Sequence, residues 1–367
     1  MSEQIAGFGA PFRHEVARET RLLSAPAFDW IYVSLILLAE IGFTLDVLSH
    51  IIYGPDQSVF SAYHLLMYGS IAMLGASLAY TGVTQMREGA SWRNALPTGF
   101  GLGFVGVMTF GISGIFDLIG HALFGFETGS EALLSPTHTG LWVGFVLIRL
   151  ALPLAAGARQ RAGIRQSWVD YVPSMIAIAL LFQLFTFLAP NMPLGGQEPD
   201  WPTQAIRSVG DNLAFIVGFG GFLLLTILYI GLMVGGLRVV KLPVGSITSI
   251  TALFWLLVFA VSAFTGGAEL QFLPAWLAAG IVGDLVLLVG RRRIKNEVWT
   301  LRLFGFVVPL VLFGSYFATL ILTNIGGGVW WSGYTWTGTV AQAAATGFMI
   351  AVLATLPAMA PAKGDTR

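Results

Sequence analysis

Ten apolar runs, each long enough to cross a lipid bilayer, constrain this chain more than any other feature. A hydrocarbon core about 30 Å thick requires roughly 20 residues of helix. Because lipid cannot bond exposed peptide groups, each run must satisfy its backbone internally, and ten runs predict an all-α, polytopic integral membrane bundle of about ten transmembrane helices. The runs fall at residues 30–52, 61–83, 98–124, 137–157, 170–190, 211–236, 246–265, 272–290, 302–324 and 335–358.

The basic residues assign an orientation to these spans. Of the 19 Lys and Arg residues, 17 lie in the terminal segments or beside alternate connections between spans, and Arg149 and Arg207 are the remaining two. The positive-inside rule therefore predicts cytoplasmic N and C termini. It also places five connections outside the cytoplasm, namely 53–60, 125–136, 191–210, 266–271 and 325–334.

The composition excludes several classes of function. With 56% hydrophobic and 10% charged residues and zero net charge, the chain does not fit a soluble enzyme or a protein that binds nucleic acid. It contains no cysteine, which excludes disulfides and thiolate metal sites. Residues 1–28 carry charges of both signs before the first apolar run, and we interpret them as a cytoplasmic or interfacial arm without a cleavable signal peptide.

A pattern of Asp and His residues occurs twice near the outer ends of the first four spans. In each copy Asp-x-x-x-His ends one span and a second His begins the next. Four of the chain's five histidines belong to the pattern, and ionisable groups in a membrane segment usually serve a function. The first copy is Asp46, His50 and His64, and the second is Asp117, His121 and His138.

The spacing predicts that each copy is one helical hairpin. Asp and His four residues apart share a helix face, so both side chains point at the same neighbour. Ser61 and Ser135 stand three residues before the second histidines, where an N-cap is expected, and Pro136 suits a first helical turn. The predicted organisation is an arm at 1–28, a duplicated hairpin region at 29–157, a six-helix region at 158–358 and a cytoplasmic tail at 359–367.

One carboxylate and two imidazoles form a ligand set suited to iron, copper or zinc, with coordination positions left open. Glu127 and Glu131, in the connection before the fourth span, are candidates for additional ligands or for an acidic mouth that attracts cations. An Asp bonded to a His one turn away can also satisfy both groups without a metal. The recurrence of the set at one depth favours metal binding.

Other polar residues lie deeper in the spans. Glu40 and Arg149 lie at similar distances from the outer ends of their spans, which predicts a buried structural ion pair between the two hairpins. Asp284, in the eighth span, is interpreted as a local partner in interhelical hydrogen bonds. The glycines between Gly99 and Gly106 predict a surface where helices pack closely.

Over residues 30–157 the two triads resemble the C subunit of the copper-dependent membrane monooxygenases, which oxidise methane, ammonia and short hydrocarbons. That family commonly has Asn where this chain has Asp117. The resemblance implies that Asp46, His50 and His64 bind one copper ion, and that Asp117, His121 and His138 bind a second. It makes copper the favoured metal, with iron and zinc as alternatives.

These observations define the expected function and its rivals. We expect monooxygenase-like oxidation of a small apolar substrate, or a metal-binding subunit of a complex that performs it, in a prokaryotic cytoplasmic membrane with the metal sites toward the outside. The expected partners are the lipid bilayer and either other membrane subunits or further copies of the chain, without nucleic acid. The rival classes are a metal- or proton-coupled permease and a subunit whose triads are structural.

Overall fold

The computed structural model describes residues 26–54, 61–125, 135–188, 212–264, 270–324 and 328–356. These residues form ten α-helices and four short helical turns, and they contain no β-strand. The all-α fold class predicted from the apolar runs is confirmed. The helices are α1 Pro26–Tyr53, α2 Ala62–Arg87, α3 Phe100–Phe124, α4 Pro136–Arg161, α5 Val172–Leu188, α6 Asn212–Val239, α7 Ser246–Phe264, α8 Leu273–Val289, α9 Glu297–Thr323 and α10 Gly333–Ala354.

The helices have the length and apolarity of membrane spans. Within the described ranges, nine segments are long and apolar enough to cross a bilayer. The remaining helix, α7, contributes a shorter apolar stretch at Ser246–Ala260. Many exposed side chains on these helices are large and apolar, as expected of surfaces that face lipid. The chain is therefore a multi-pass membrane protein.

The described helices belong to two compact units. The first contains α1 to α4, most of α5 and the last part of α7, and the second contains most of α6, the first part of α7 and α8 to α10. In the second unit, the carboxylate of Asp284 accepts hydrogen bonds from the backbone N–H groups of Ile247 and Thr248 and from the Thr248 hydroxyl. Asp284 thus satisfies free donors in the first turn of α7.

Glycines bring α3 and α4 of the first unit close together. A Cβ added at Gly106 would lie 2.9 Å from the carbonyl oxygen of Gly144, and one added at Gly144 would lie 2.9 Å from the carbonyl oxygen of Gly106. Only glycine permits backbones to approach this closely. On the other hairpin, a Cβ at Gly42 would lie 2.6 Å from the backbone nitrogen of Met67, so α1 and α2 also meet at a glycine.

Two buried ion pairs connect α1 to α4. Arg149 donates to the carboxylate of Glu40, and its guanidinium also stacks over the ring of Phe145 at 4.6 Å from the ring centre. Arg159 donates through both terminal nitrogens to Asp29. Because a charge left alone in this interior would be costly, each pair fixes the register and rotation of one helix relative to the other.

We expect the Glu40–Arg149 pair to be strongly coupled in stability. Arg149→Met should lower the free energy of unfolding by about 3–5 kcal/mol because it leaves the Glu40 carboxylate buried without its partner. The double variant Glu40→Leu with Arg149→Met should recover most of that loss. Arg161→Met, an exposed position on the same helix, should change stability by less than about 0.5 kcal/mol. Unfolding in bicelles measures all three, and additive losses in the double variant would contradict the coupling.

Candidate metal centre

The first triad is assembled at one end of α1 and α2. Asp46 and His50 lie one turn apart near the end of α1, and His64 lies in the first turn of α2. The Asp46 Oδ1 atom is 3.3 Å from Nε2 of His64 and 3.8 Å from Nε2 of His50. Asp46 is 7% exposed. One carboxylate oxygen therefore faces both imidazoles of its copy.

The second triad has the same construction on α3 and α4. The Asp117 Oδ2 atom is 3.1 Å from Nε2 of His121, and Oδ1 is 3.5 Å from Nδ1 of His138. Asp117 is 5% exposed. The two rings in each triad are also similarly spaced, with centres 6.5 Å apart for His50 and His64 and 6.4 Å apart for His121 and His138. We call the two sets cluster one and cluster two.

Helix caps hold the second histidine of each cluster. Ser61 and Ser135 are the N-caps of α2 and α4, and each side chain accepts a hydrogen bond, 3.2 Å long, from the backbone N–H three residues later. That N–H belongs to His64 in one hairpin and His138 in the other. The caps predicted from the sequence are therefore present, and they fix where each imidazole leaves its helix.

The clusters differ in the hydrogen bonds around their carboxylates. Thr137 donates its hydroxyl to Asp117 Oδ1 over 2.7 Å, and Ser135 Oγ lies 2.7 Å from His138 Nδ1. The position equivalent to Thr137 in the first hairpin is Tyr63, and Asp46 Oδ1 is buried with no hydrogen bond among the described residues. Asp46 thus retains more unused acceptor capacity than Asp117.

The separations between carboxylate and imidazole suit a shared ion. Two ligands bound to one tetrahedral zinc or a similar ion at about 2.0–2.2 Å stand roughly 3.3–3.6 Å apart. The four Asp–His separations, 3.1 to 3.8 Å, bracket that value. As the side chains stand, no group of three or more His, Asp or Glu residues in the described ranges is ready to hold a metal. Side-chain rotation on fixed helices would therefore be needed to complete either set.

Glu127 and Glu131, the candidates for additional ligands, lie outside the described residues. The other two polar residues singled out in this region do not join the clusters. Glu40 and Arg149 pair with each other beneath them.

An aromatic layer separates the clusters from the Glu40–Arg149 pair. Its rings form a continuous series of contacts, with centres 4.8–5.8 Å apart. One end of the series also contacts cluster one, because the rings of Tyr68 and His64 are 5.9 Å apart. The layer consists of Tyr68, Phe110, Phe145, Phe43 and Trp142.

Sequence reasoning missed this layer, although a signal exists. Tyr68 follows His64 by four residues, and Trp142 follows His138 by four, so the repeat continues one turn into each helix as an aromatic residue with a polar group. Such a ring is expected to share the helix face of the histidine. Sequence reasoning also missed the Asp29–Arg159 pair.

No family model, no curated protein and no solved structure matches this chain. The likeness to the monooxygenase C subunit therefore rests on the two triads.

The Thr137–Asp117 hydrogen bond should contribute measurably to stability. Thr137→Val keeps the side-chain shape but removes a donor to a charged acceptor, and we expect a loss of about 1.5–3 kcal/mol in the metal-free protein. Thr139→Val removes only a bond to the Ser135 carbonyl within the same helix and should cost less than about 0.5 kcal/mol. Denaturant unfolding in micelles compares the two variants, and equal losses would show that the Asp117 bond adds nothing.

Proposed function

We propose that this chain is a membrane metalloprotein with two Asp/His/His sites, and that it performs monooxygenase-like oxidation of a small membrane-soluble substrate or is the metal-binding subunit of a complex that does. The observation that carries the proposal is the assembly, twice, of a buried carboxylate within 3.1–3.8 Å of two imidazoles. The likeness to the copper monooxygenase subunit adds the direction of the chemistry.

Asp46, His50 and His64 would hold one ion, and Asp117, His121 and His138 the other. The likeness to the monooxygenase subunit favours copper, and iron and zinc, which also suit one carboxylate and two imidazoles, remain alternatives. When bound, copper or iron supplies an open position for oxygen and one-electron chemistry.

The chain's own residues perform the remaining tasks. The two carboxylates add negative charge beside the imidazoles and so favour a cation in each cluster. The Ser61 and Ser135 caps hold His64 and His138 in place, which reduces the reorganisation needed for binding. The aromatic layer supplies an apolar floor that keeps water from the deeper part of the spans.

The surroundings of cluster two suit an apolar substrate. The α3 residues around Asp117 include large apolar side chains that are about half exposed, namely Ile112, Ile115, Phe116 and Ile119. In a bilayer these side chains face hydrocarbon, so a small apolar molecule dissolved in lipid can approach the cluster from the side.

The proposed location follows from charge. The clusters lie where α1 ends and α2 begins and where α3 ends and α4 begins, whereas the opposite ends of α2 and α4 carry Arg87 and Arg161. By the positive-inside rule the clusters face outward from a prokaryotic cytoplasmic membrane. We further propose that other membrane subunits, or further copies of this chain, complete the assembly.

Metal content tests the site directly. Protein purified in native lipid should bind up to two transition-metal ions per chain, and the double variant His50→Ala with His121→Ala should bind none because each cluster loses a ligand. His14→Ala, which changes the one histidine outside the pattern, should keep both ions. Elemental analysis gives the stoichiometry. Full metal content in the double variant would exclude the triads as the site.

Oxygen distinguishes an oxidase from a permease. In a metalloprotein that reacts with oxygen, admitting oxygen to the reduced, metal-loaded protein should change its optical or paramagnetic spectrum. Asp117→Asn should retain most of the metal but alter that change, because Asn keeps an oxygen ligand and removes one charge.

A permease would behave differently in both respects. Sealed vesicles containing the protein would accumulate metal or protons above the level of protein-free vesicles, and Asp117→Asn would abolish that flux. Flux together with a spectrum indifferent to oxygen would replace the oxidase proposal with the permease.

A further inference from the structure

The positive charge in the described part of the second unit is concentrated at one place. All of its Lys and Arg side chains lie in the connection between α8 and α9 or in the first two turns of α9. That part of the unit contains two carboxylates, Asp284, which binds the backbone of α7, and Glu297. We call residues 290–296 the basic turn. The five basic residues are Arg291, Arg292, Arg293, Lys295 and Arg302.

The backbone holds the basic turn in a compact form. Gly290–Ile294 is a turn of π-helix, and it ends where the N–H of Lys295, a residue in the left-handed conformation, donates to the Gly290 carbonyl over 2.7 Å. A Cβ added at Gly290 would collide with the side chain of Thr300, so α9 packs directly against the turn. Asn296 then caps α9. Because only seven residues separate the two helices, the basic side chains remain close together and close to the ends of both helices.

The arginines of the basic turn face away from the unit. Residues 291–299 are all exposed, and neither Arg292 nor Arg293 forms an ion pair with a carboxylate of the described residues. Arg302 differs, because its Nε donates to the Thr355 hydroxyl over 3.1 Å. At least two guanidinium groups of the turn are therefore available to a partner outside the described chain.

The apolar neighbours of the basic turn indicate its depth in the membrane. Exposed apolar side chains stand before the turn at Val289, within it at Ile294, and after it at Val298 and Trp299. Exposed apolar residues suit hydrocarbon, and tryptophan is enriched at the boundary between hydrocarbon and water. The turn therefore lies at the level of the lipid headgroups, and the positive-inside rule puts it on the cytoplasmic side.

We propose that the basic turn binds the phosphate groups of anionic phospholipids in the cytoplasmic leaflet. Guanidinium groups bind phosphate oxygens through paired N–H donors, and clusters of basic residues directly beyond a membrane span attract anionic lipids. A turn of seven residues does not extend far beyond the headgroups, and the apolar side chains beside it suit acyl chains. Both features favour a lipid over an acidic protein. This site does not depend on the proposed metal function.

Lipid titration tests the site. The delipidated full chain is titrated with phosphatidylglycerol and with phosphatidylcholine, and native mass spectrometry measures the bound lipid. The unaltered protein should prefer phosphatidylglycerol. Arg292→Gln with Arg293→Gln should weaken its binding by about tenfold or more, because each arginine near an anionic surface contributes about fivefold. Arg292→Lys with Arg293→Lys keeps the charge and should remain within about threefold of the unaltered protein.

A control variant separates the basic turn from net charge. Arg87→Gln with Arg165→Gln removes the same charge from exposed positions in other connections, and it should weaken phosphatidylglycerol binding by less than about threefold. Equal weakening in the two Gln variants would overturn the proposal. Equal binding of the two lipids by the unaltered protein would overturn it in favour of an acidic protein partner.

Labelling of the unaltered protein tests the position without any substitution. Phosphatidylglycerol with a photoreactive group in its headgroup is mixed into phosphatidylcholine vesicles that contain the full chain, and the labelled peptides are identified after irradiation. The label should be concentrated in residues 290–299. Label concentrated instead in residues 84–97 or 158–168 would overturn the assignment to the basic turn.

Discussion

The need to pair charges inside the first unit determines where the Asp and His side chains of the clusters point. Asp29 and Glu40 lie on one face of α1, and each meets an arginine of α4. Because neither carboxylate can rotate into lipid without losing its partner, the rotation of α1 about its axis is fixed. Continuing along that face by helical steps of three and four residues leads through Phe43 to Asp46 and then His50. The buried ion pairs thus set the direction of the Asp46 and His50 side chains at the end of α1.

Much of this architecture could be predicted from the sequence, because lipid leaves few alternatives. The lengths of the apolar runs were sufficient to predict the helices. The similar depths of Glu40 and Arg149 in their spans were sufficient to predict that the two side chains pair. The Asp29–Arg159 pair was missed since Arg159 was counted with the basic residues of a connection, whereas α4 continues to Arg161. The ring contacts of Tyr68 and Trp142 were missed, although the spacing of four residues from His64 and His138 places both rings on the same helix faces as the histidines. Hydropathy records composition but not which side of a helix meets which partner.

The two hairpins share the Asp and two His residues and differ in the residues that surround them. Thr137 gives Asp117 a hydrogen bond, where Tyr63 stands in the other copy. Gly114 leaves room for a phenol, where Phe43 fills the corresponding place in the first copy. Substitutions at these positions alter the environment of a carboxylate without removing it. A duplicated site can become two unequal sites in this way.

Backbone contact at Gly42 in one hairpin and at Gly106 and Gly144 in the other has a consequence for size discrimination. Helices that touch through their main chains cannot move closer, and moving apart would open a gap in a tightly packed interior. The span between the two helices of each hairpin is therefore set by the backbone. In the proposed metal sites, this fixed separation would make ions compete by radius as well as by charge, and it would disfavour large hydrated cations that demand many oxygen ligands.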